Sequence, residues 1–169
     1  MLPKLNKILY ATDIGPGAPY VFRYALSLAH QYQGQLHVLH AMEPLSTFGQ
    51  SLVELHISPN QSEELHKAAR EKARNRLNER IDRLIEGETA SMPEGRALIA
   101  SVECIEGFPA ATILAQAKKL EVDAIVIGTH RHTALGEALL GSTARKVLHG
   151  AAIPVLLTRI PDGFREEGY

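Results

Sequence analysis

Ile125-Val126-Ile127-Gly128-Thr129-His130-Arg131, resumed at Leu140-Gly141-Ser142-Thr143, joins an apolar run to a glycine-punctuated loop and then to a helix start. Between Val122 and Ile127 only Asp123 is polar. A run so short, apolar throughout and closed by Gly128, reads as a central strand of a parallel sheet, buried on both faces. Downstream, Thr143 to His149 is helical in spacing and stops at Gly150, with Ser142 as the expected N-cap. The unbonded N–H groups of such a first turn, with Gly141 admitting a ligand to the backbone, suit a phosphate.

Working back toward the start, Lys7 to Asp13 is an apolar strand that ends in a carboxylate, and Gly15-Pro16-Gly17 turns the chain. Val21, Ala25, Leu28, Ala29 and Tyr32 repeat at helical spacing from Pro19 to Gln33, with Gly34 expected to end the helix in a left-handed conformation. Leu36 to Met42 is a second strand, stopped by Glu43-Pro44 because proline cannot continue a central ladder. Within it, His40 reads as a hydrogen-bonded core or rim histidine. Leu45 to Gln61 has no period and is either a lid over the sheet edge or a variable connection.

Asn60-Gln61-Ser62-Glu63 offers a capping box for the longest helix, which reaches Glu86 with Leu65, Ala69, Ala73, Leu77, Ile81, Leu84 and Ile85 on one side. Its charges, Glu71 near Asn75 and Glu79 near Arg83 among them, read as a solvated face with weak pairs. A third strand is expected over Ala97 to Ile105. Pro109 then opens a helix whose buried side is Ile113, Leu114, Ala117 and Leu120. After the central strand and the short helix, Ile153 to Thr158 makes a fifth strand.

Five strands alternating with four helices give an α/β fold, a doubly wound five-stranded parallel sheet with helices on both faces, flavodoxin- or Rossmann-like. Residues 1–160 form one domain and 161–169 a mobile charged tail. In such folds ligands sit beyond the carboxyl ends of the strands at the switch point of the strand order. Asp13, Glu43 and the Gly128 loop all fall there.

A chain of 169 residues suits one domain with a sizeable core. The single Cys104 rules out a disulfide framework, fits a reducing cytosol, and reads as a small buried hydrophobe. Net charge −1 and pI near 6.7 leave no electrostatic footprint for nucleic acid, and no stretch has the length or apolarity of a signal peptide or membrane span. A cytoplasmic protein is expected.

Between Lys7 and Arg159 the chain resembles the universal stress protein family. The resemblance rests on Ile8 to Asp13, on Glu106-Gly107-Phe108-Pro109-Ala110, on Leu139-Leu140-Gly141-Ser142 and on Pro154-Val155-Leu156-Leu157. Gly128, Gly141 and Ser142 also stand at the intervals of that family's Gly-x2-Gly-x9-Gly-(Ser/Thr) pattern. It implies an adenine nucleotide alpha-hydrolase-like fold and a site for ATP or AMP, with magnesium as companion ion. Asp13 and Gly128 would lie near the ribose, and Ala11, Ala41 and Ile127 around the base. Gly141, Ser142 and Thr143 would hold phosphates, with Thr12, Met42, His130 and Arg131 completing the site.

Arg131 departs from the pattern, standing where the family has its second glycine. It either adds a charge-assisted phosphate contact or fills the pocket and blocks it. His130 and His132 read as a phosphate-facing pair; as a metal fragment they would need Glu137 and more.

The function implied is a nucleotide-binding stress or signalling module with little or no turnover, slow incidental ATP hydrolysis at most, since no phosphate loop of the GxxxxGK(S/T) type occurs. The alternative is a dimeric protein-interaction module with its site closed by Arg131. A third reading, an NAD-type oxidoreductase, rests on Gly15-x-Gly17 and Glu43, but Tyr20 replaces its third glycine. A homodimer is expected through the exposed edge of the last strand, Val155, Leu156, Leu157 and Thr158, together with an unidentified protein partner.

Overall fold

The computed structural model describes residues 2–44, 46, 49, 51, 58–88, 92–129 and 140–166. Its elements are β1 (Lys7–Ala11), α1 (Ala18–Tyr32), β2 (Gln35–Met42), α2 (Pro59–Glu88), a 3-10 turn (Gly95–Leu98), β3 (Ile99–Glu106), α3 (Pro109–Leu120), β4 (Ala124–Thr129), α4 (Ser142–Gly150) and β5 (Val155–Arg159). The five strands form one parallel sheet in the order β3-β2-β1-β4-β5. The direction of winding reverses between β1 and β4, so the expected doubly wound sheet is the one observed. The long connection at 45–57 lies largely outside the described residues. Among the described residues no helix is long and apolar enough to cross a membrane.

Side-chain alternation along the strands supplies two cores. Ile8, Tyr10, Leu36, Val38 and Val126 face α1 and the C-terminal half of α2, meeting Val21, Phe22, Ala25, Leu77, Ile81 and Leu84. Leu9, Ala11, Leu39, Ile125 and Ile127 face the other way, onto Ile113 and Ala117 of α3 and Ala144 and Val147 of α4. Burying each such branched side chain is worth about 1.5–3 kcal/mol, which makes the two layers the main source of stability. At the amino edge the Asp123 carboxylate accepts the N–H groups of Asn6 and Lys7 at 2.7 and 2.9 Å, pinning β4 beside β1.

Several local expectations are corrected. The left-handed residue after α1 is Gln33 (φ 52°), whose N–H and that of Gly34 cap the helix on His30 O and Ala29 O. Gly34 is a glycine for another reason: a Cβ there would lie 2.3 Å from the Leu5 carbonyl oxygen. The capping box of α2 sits two residues earlier than expected. Ser58 N–H donates to Gln61 Oε1 at 3.0 Å, and Gln61 N–H donates back to Ser58 Oγ at 3.4 Å. Of the apolar row on that helix, Leu77, Ile81 and Leu84 are buried, but Leu65 is 58% exposed because the first half of α2 runs past the core. The third strand begins at Ile99, since 95–98 make the 3-10 turn.

The tail expected to be mobile makes definite contacts as far as it is described. Ile160 is buried, Phe164 packs on Tyr20 with ring centroids 5.2 Å apart, and Glu166 takes a two-pronged ion pair from Arg23 at 2.7 and 2.9 Å. Cys104 is half-buried against the α1–α2 layer, and burial pushes its thiol pKa up, as fits a packing residue.

Candidate functional site

A cleft of about 420 Å³ opens at the carboxyl edge, where β1 and β4 part. This is the place that strand order alone selects in a doubly wound sheet. Nine of the expected site residues line it: Ala11, Thr12, Asp13, Ala41, Ile127, Gly128, Gly141, Ser142 and Thr143. Met42 does not; its carbonyl accepts the Gly107 N–H at 2.9 Å and holds the turn into α3. His130 and Arg131, with His132 and Glu137, lie outside the described residues.

The structure adds residues that sequence reasoning missed. His40, Pro109, Ile113, Thr129 and Ile160 also line the cleft. Ile113 reads as a helix's buried side and Ile160 falls at the boundary of the domain, so neither carried a signal for the site. His40 donates from Nδ1 to the Thr12 carbonyl at 2.9 Å. A carbonyl only accepts, so Nδ1 carries a proton.

One wall is the turn after β1. Thr12 N–H donates to the Leu39 carbonyl at 2.9 Å, extending the ladder one residue beyond the strand. Thr12 Oγ1 accepts the Ile14 N–H at 3.1 Å, and Asp13 Oδ1 accepts the Gly15 N–H at 2.8 Å. Ile14, a β-branched residue, is held left-handed at φ 60°. Such a backbone costs on the order of 1–3 kcal/mol and persists only where its surroundings over-determine it. Arg80, from the charged face of α2, donates to the Ile14 carbonyl.

The opposite wall is the start of α4, whose N-cap is Gly141 rather than Ser142, with no side chain capping it. Ser142 is the first helical residue. The N–H groups of Ser142, Thr143 and Ala144 have no acceptor within the helix, and the helix dipole adds partial positive charge at that end. The Gly141 N–H reaches Thr129 Oγ1 at 3.4 Å.

The two glycines of the motif differ in what requires them. A Cβ on Gly128 would lie 2.6 Å from Val21 Cγ2 and 3.3 Å from Ile160 Cδ1, so packing demands glycine there. Among the described residues, a Cβ on Gly141 would meet only Thr129 Oγ1, at 3.9 Å, so none of them accounts for the absence of a side chain there. Tyr20, where a dinucleotide fingerprint needs its third glycine, packs on Tyr24 and Phe164 instead.

Comparison with known proteins agrees with this geometry. The family model for "Universal stress protein family" matches residues 4–159. Universal stress protein A homolog 2 of Coxiella burnetii (strain RSA 493 / Nine Mile phase I) is 32% identical over 158 residues, covering 92% of this chain and 95% of that protein. Among solved structures, universal stress protein UspA from Lactobacillus plantarum superposes with a TM-score of 0.67 at 21% identity, over 94% of this chain and all of that one. A universal stress protein crystallised in complex with cAMP matches with a TM-score of 0.56 at 16% identity, over 94% of this chain and all of that one. Two layers around a parallel sheet, a cleft at its switch point and these matches together lead to one conclusion: the chain belongs to the universal stress protein family.

Proposed function

We propose that the cleft binds an adenine nucleotide, ATP or AMP with magnesium as companion ion, and that the protein is a binding module of a stress or signalling response rather than an enzyme. The observation that carries this is Gly141: a glycine that no described residue crowds, capping a helix whose first turn lines the same cleft as Asp13. Phosphates suit the helix start, ribose hydroxyls suit the carboxylate, and Ala11, Ala41 and Ile127 supply flat apolar contact for a base. A family structure in complex with cAMP supports the same class of ligand.

A binding role fits the titratable side chains lining the cleft. Tyr10 donates to the Ala18 carbonyl, Asp13 holds the Gly15 N–H and His40 holds the Thr12 carbonyl, so each serves the scaffold before any chemistry. Partner affinity would then change with ligand state, in the cytoplasm.

A homodimer through β5 belongs to the same proposal. β5 is an edge strand, and Leu156 on it is 39% exposed. Thr158 is buried and Leu157 packs inward, so the pairing would use the strand backbone and Leu156.

The test is to heat-denature freshly purified protein, identify released nucleotide by mass spectrometry, and titrate ATP and AMP with magnesium by calorimetry. A stoichiometric adenine nucleotide, or saturable heat, is the expected result. Neither would reject nucleotide binding and leave an interaction module.

A further inference from the structure

We infer that Arg80 is a positioning residue for the ligand-facing carboxylate of Asp13, an inference that rests on the nucleotide reading for its functional half. Arg80 does not line the cleft. It lies behind it, on the α2 side, bordering a small gap with Thr12, Ile14, Leu77 and Ile81. Its guanidinium donates to the carbonyl of Ile14, the residue held left-handed between Asp13 and Gly15. The turn is closed on its other side by His40, which donates to the Thr12 carbonyl at 2.9 Å.

These bonds form one chain of cause. Asp13 can present its second oxygen to the cleft only while its first holds the Gly15 N–H at 2.8 Å. In this turn the bond spans Ile14, which is held left-handed. A β-branched side chain disfavours that conformation, so the turn as built needs an external tether. Thr12 Oγ1 supplies one, on the Ile14 N–H. Arg80 supplies the other with a charged donor, the stronger kind of hydrogen bond, from a planar group that lysine does not reproduce. A charge on the flank of α2 thereby sets the acid of a cleft on the far side of the turn.

The experiment compares Arg80→Met and Arg80→Lys in the full chain. First, in ligand-free protein, amide hydrogen exchange at Gly15 is followed by NMR. Arg80→Met is expected to speed it at least tenfold, leaving amides of β1 and β4 unchanged, with partial recovery in Arg80→Lys. Second, affinities are measured for ATP and for 2′,3′-dideoxy-ATP. ATP binding is expected to weaken about tenfold in Arg80→Met, matching Asp13→Asn, with the double variant no worse and the dideoxy analogue unaffected. Unchanged exchange at Gly15 would overturn the positioning role. Equal losses for both nucleotides would show a merely structural arginine and overturn it too. An unsubstituted protein that binds neither nucleotide would overturn the ribose role together with the proposed function, and the Gly15 amide would still decide whether Arg80 holds the turn.

Discussion

The two walls of the cleft are built on opposite plans. The turn after β1 satisfies itself: Thr12, Asp13, His40 and Arg80 all spend hydrogen bonds on its backbone, and it holds a strained isoleucine as a result. Among the described residues, no side chain caps the start of α4 and only Thr129 Oγ1 comes within 4 Å of a Cβ placed on Gly141. The first wall is rigid before any ligand arrives, which lowers the ordering cost of binding. The second keeps its donors in reserve, and a ligand anion would satisfy them.

The largest effect that would break this contrast is on binding. Gly141→Asp puts a carboxylate at the bare helix start, and nucleotide affinity should fall by roughly 100-fold or more, since like charges brought together cost several kcal/mol. The fold should survive, because the nearest atom of the described residues to the new Cβ is 3.9 Å away. Calorimetry alongside a thermal melt checks both halves. A melt lowered as steeply as the affinity would show Gly141 to be structural after all.

A smaller effect sharpens the contrast between the glycines. Gly128→Ala should lower unfolding stability by about 1–3 kcal/mol, because Val21 is β-branched and cannot swing away from a Cβ 2.6 Å distant. Gly141→Ser should change it by only a few tenths of a kcal/mol, serine and glycine being similar N-caps. Urea titrations of the two variants give the comparison directly.

The smallest effect lies away from both walls, at His37. Its Nδ1 meets Ser101 Oγ at 2.9 Å, Nε2 is buried with no hydrogen-bond partner among the described residues, and burial, then the Lys7 charge, lower its pKa from the ordinary histidine value. The unfolded chain therefore takes up a proton that the native state refuses as pH falls below about 6.5, so this residue's contribution to stability is full above that value and declines beneath it. His37→Leu should flatten the dependence of the urea midpoint between pH 7.5 and 5. A slope unchanged by the substitution would assign the acid sensitivity elsewhere.

Most of this architecture was legible because it depends on periodicity. The apolar runs at Lys7 to Ala11 and around Ile125, and Pro109 opening α3, are local patterns that burial on two faces enforces. The errors fall where a distant atom decides. Gly34 looked like a left-handed cap, but its constraint comes from the Leu5 carbonyl on another element. Ser142 had the right chemistry for an N-cap, yet the helix begins one residue earlier in register with Gly141 outside it. Leu65 and Ala69 obey the helical period of α2 but lie beyond the end of the core, and periodicity carries no information about where a core stops. Arg80 was one charge among many on a solvated face; only folding brings it under the turn at Ile14. Within the cleft, most residues near the strand ends could be read from the strands, whereas Ile160 joins it by continuing β5 one residue, its N–H donating to the Thr129 carbonyl at 3.0 Å.

The strand order also has a consequence in time. β1 leaves the ribosome well before β4, its partner on one side, and the Asp123 carboxylate that fastens them is 117 residues from Asn6. At synthesis rates of about 5–20 residues per second, β1 waits on the order of ten seconds with one edge unpaired. Through that interval the nascent chain is a three-stranded half-sheet with Ile8, Leu9 and Tyr10 along an open border, the kind of edge that invites pairing with a stranger. The cleft comes into being only when that border closes, so it cannot be assembled before β4 has emerged.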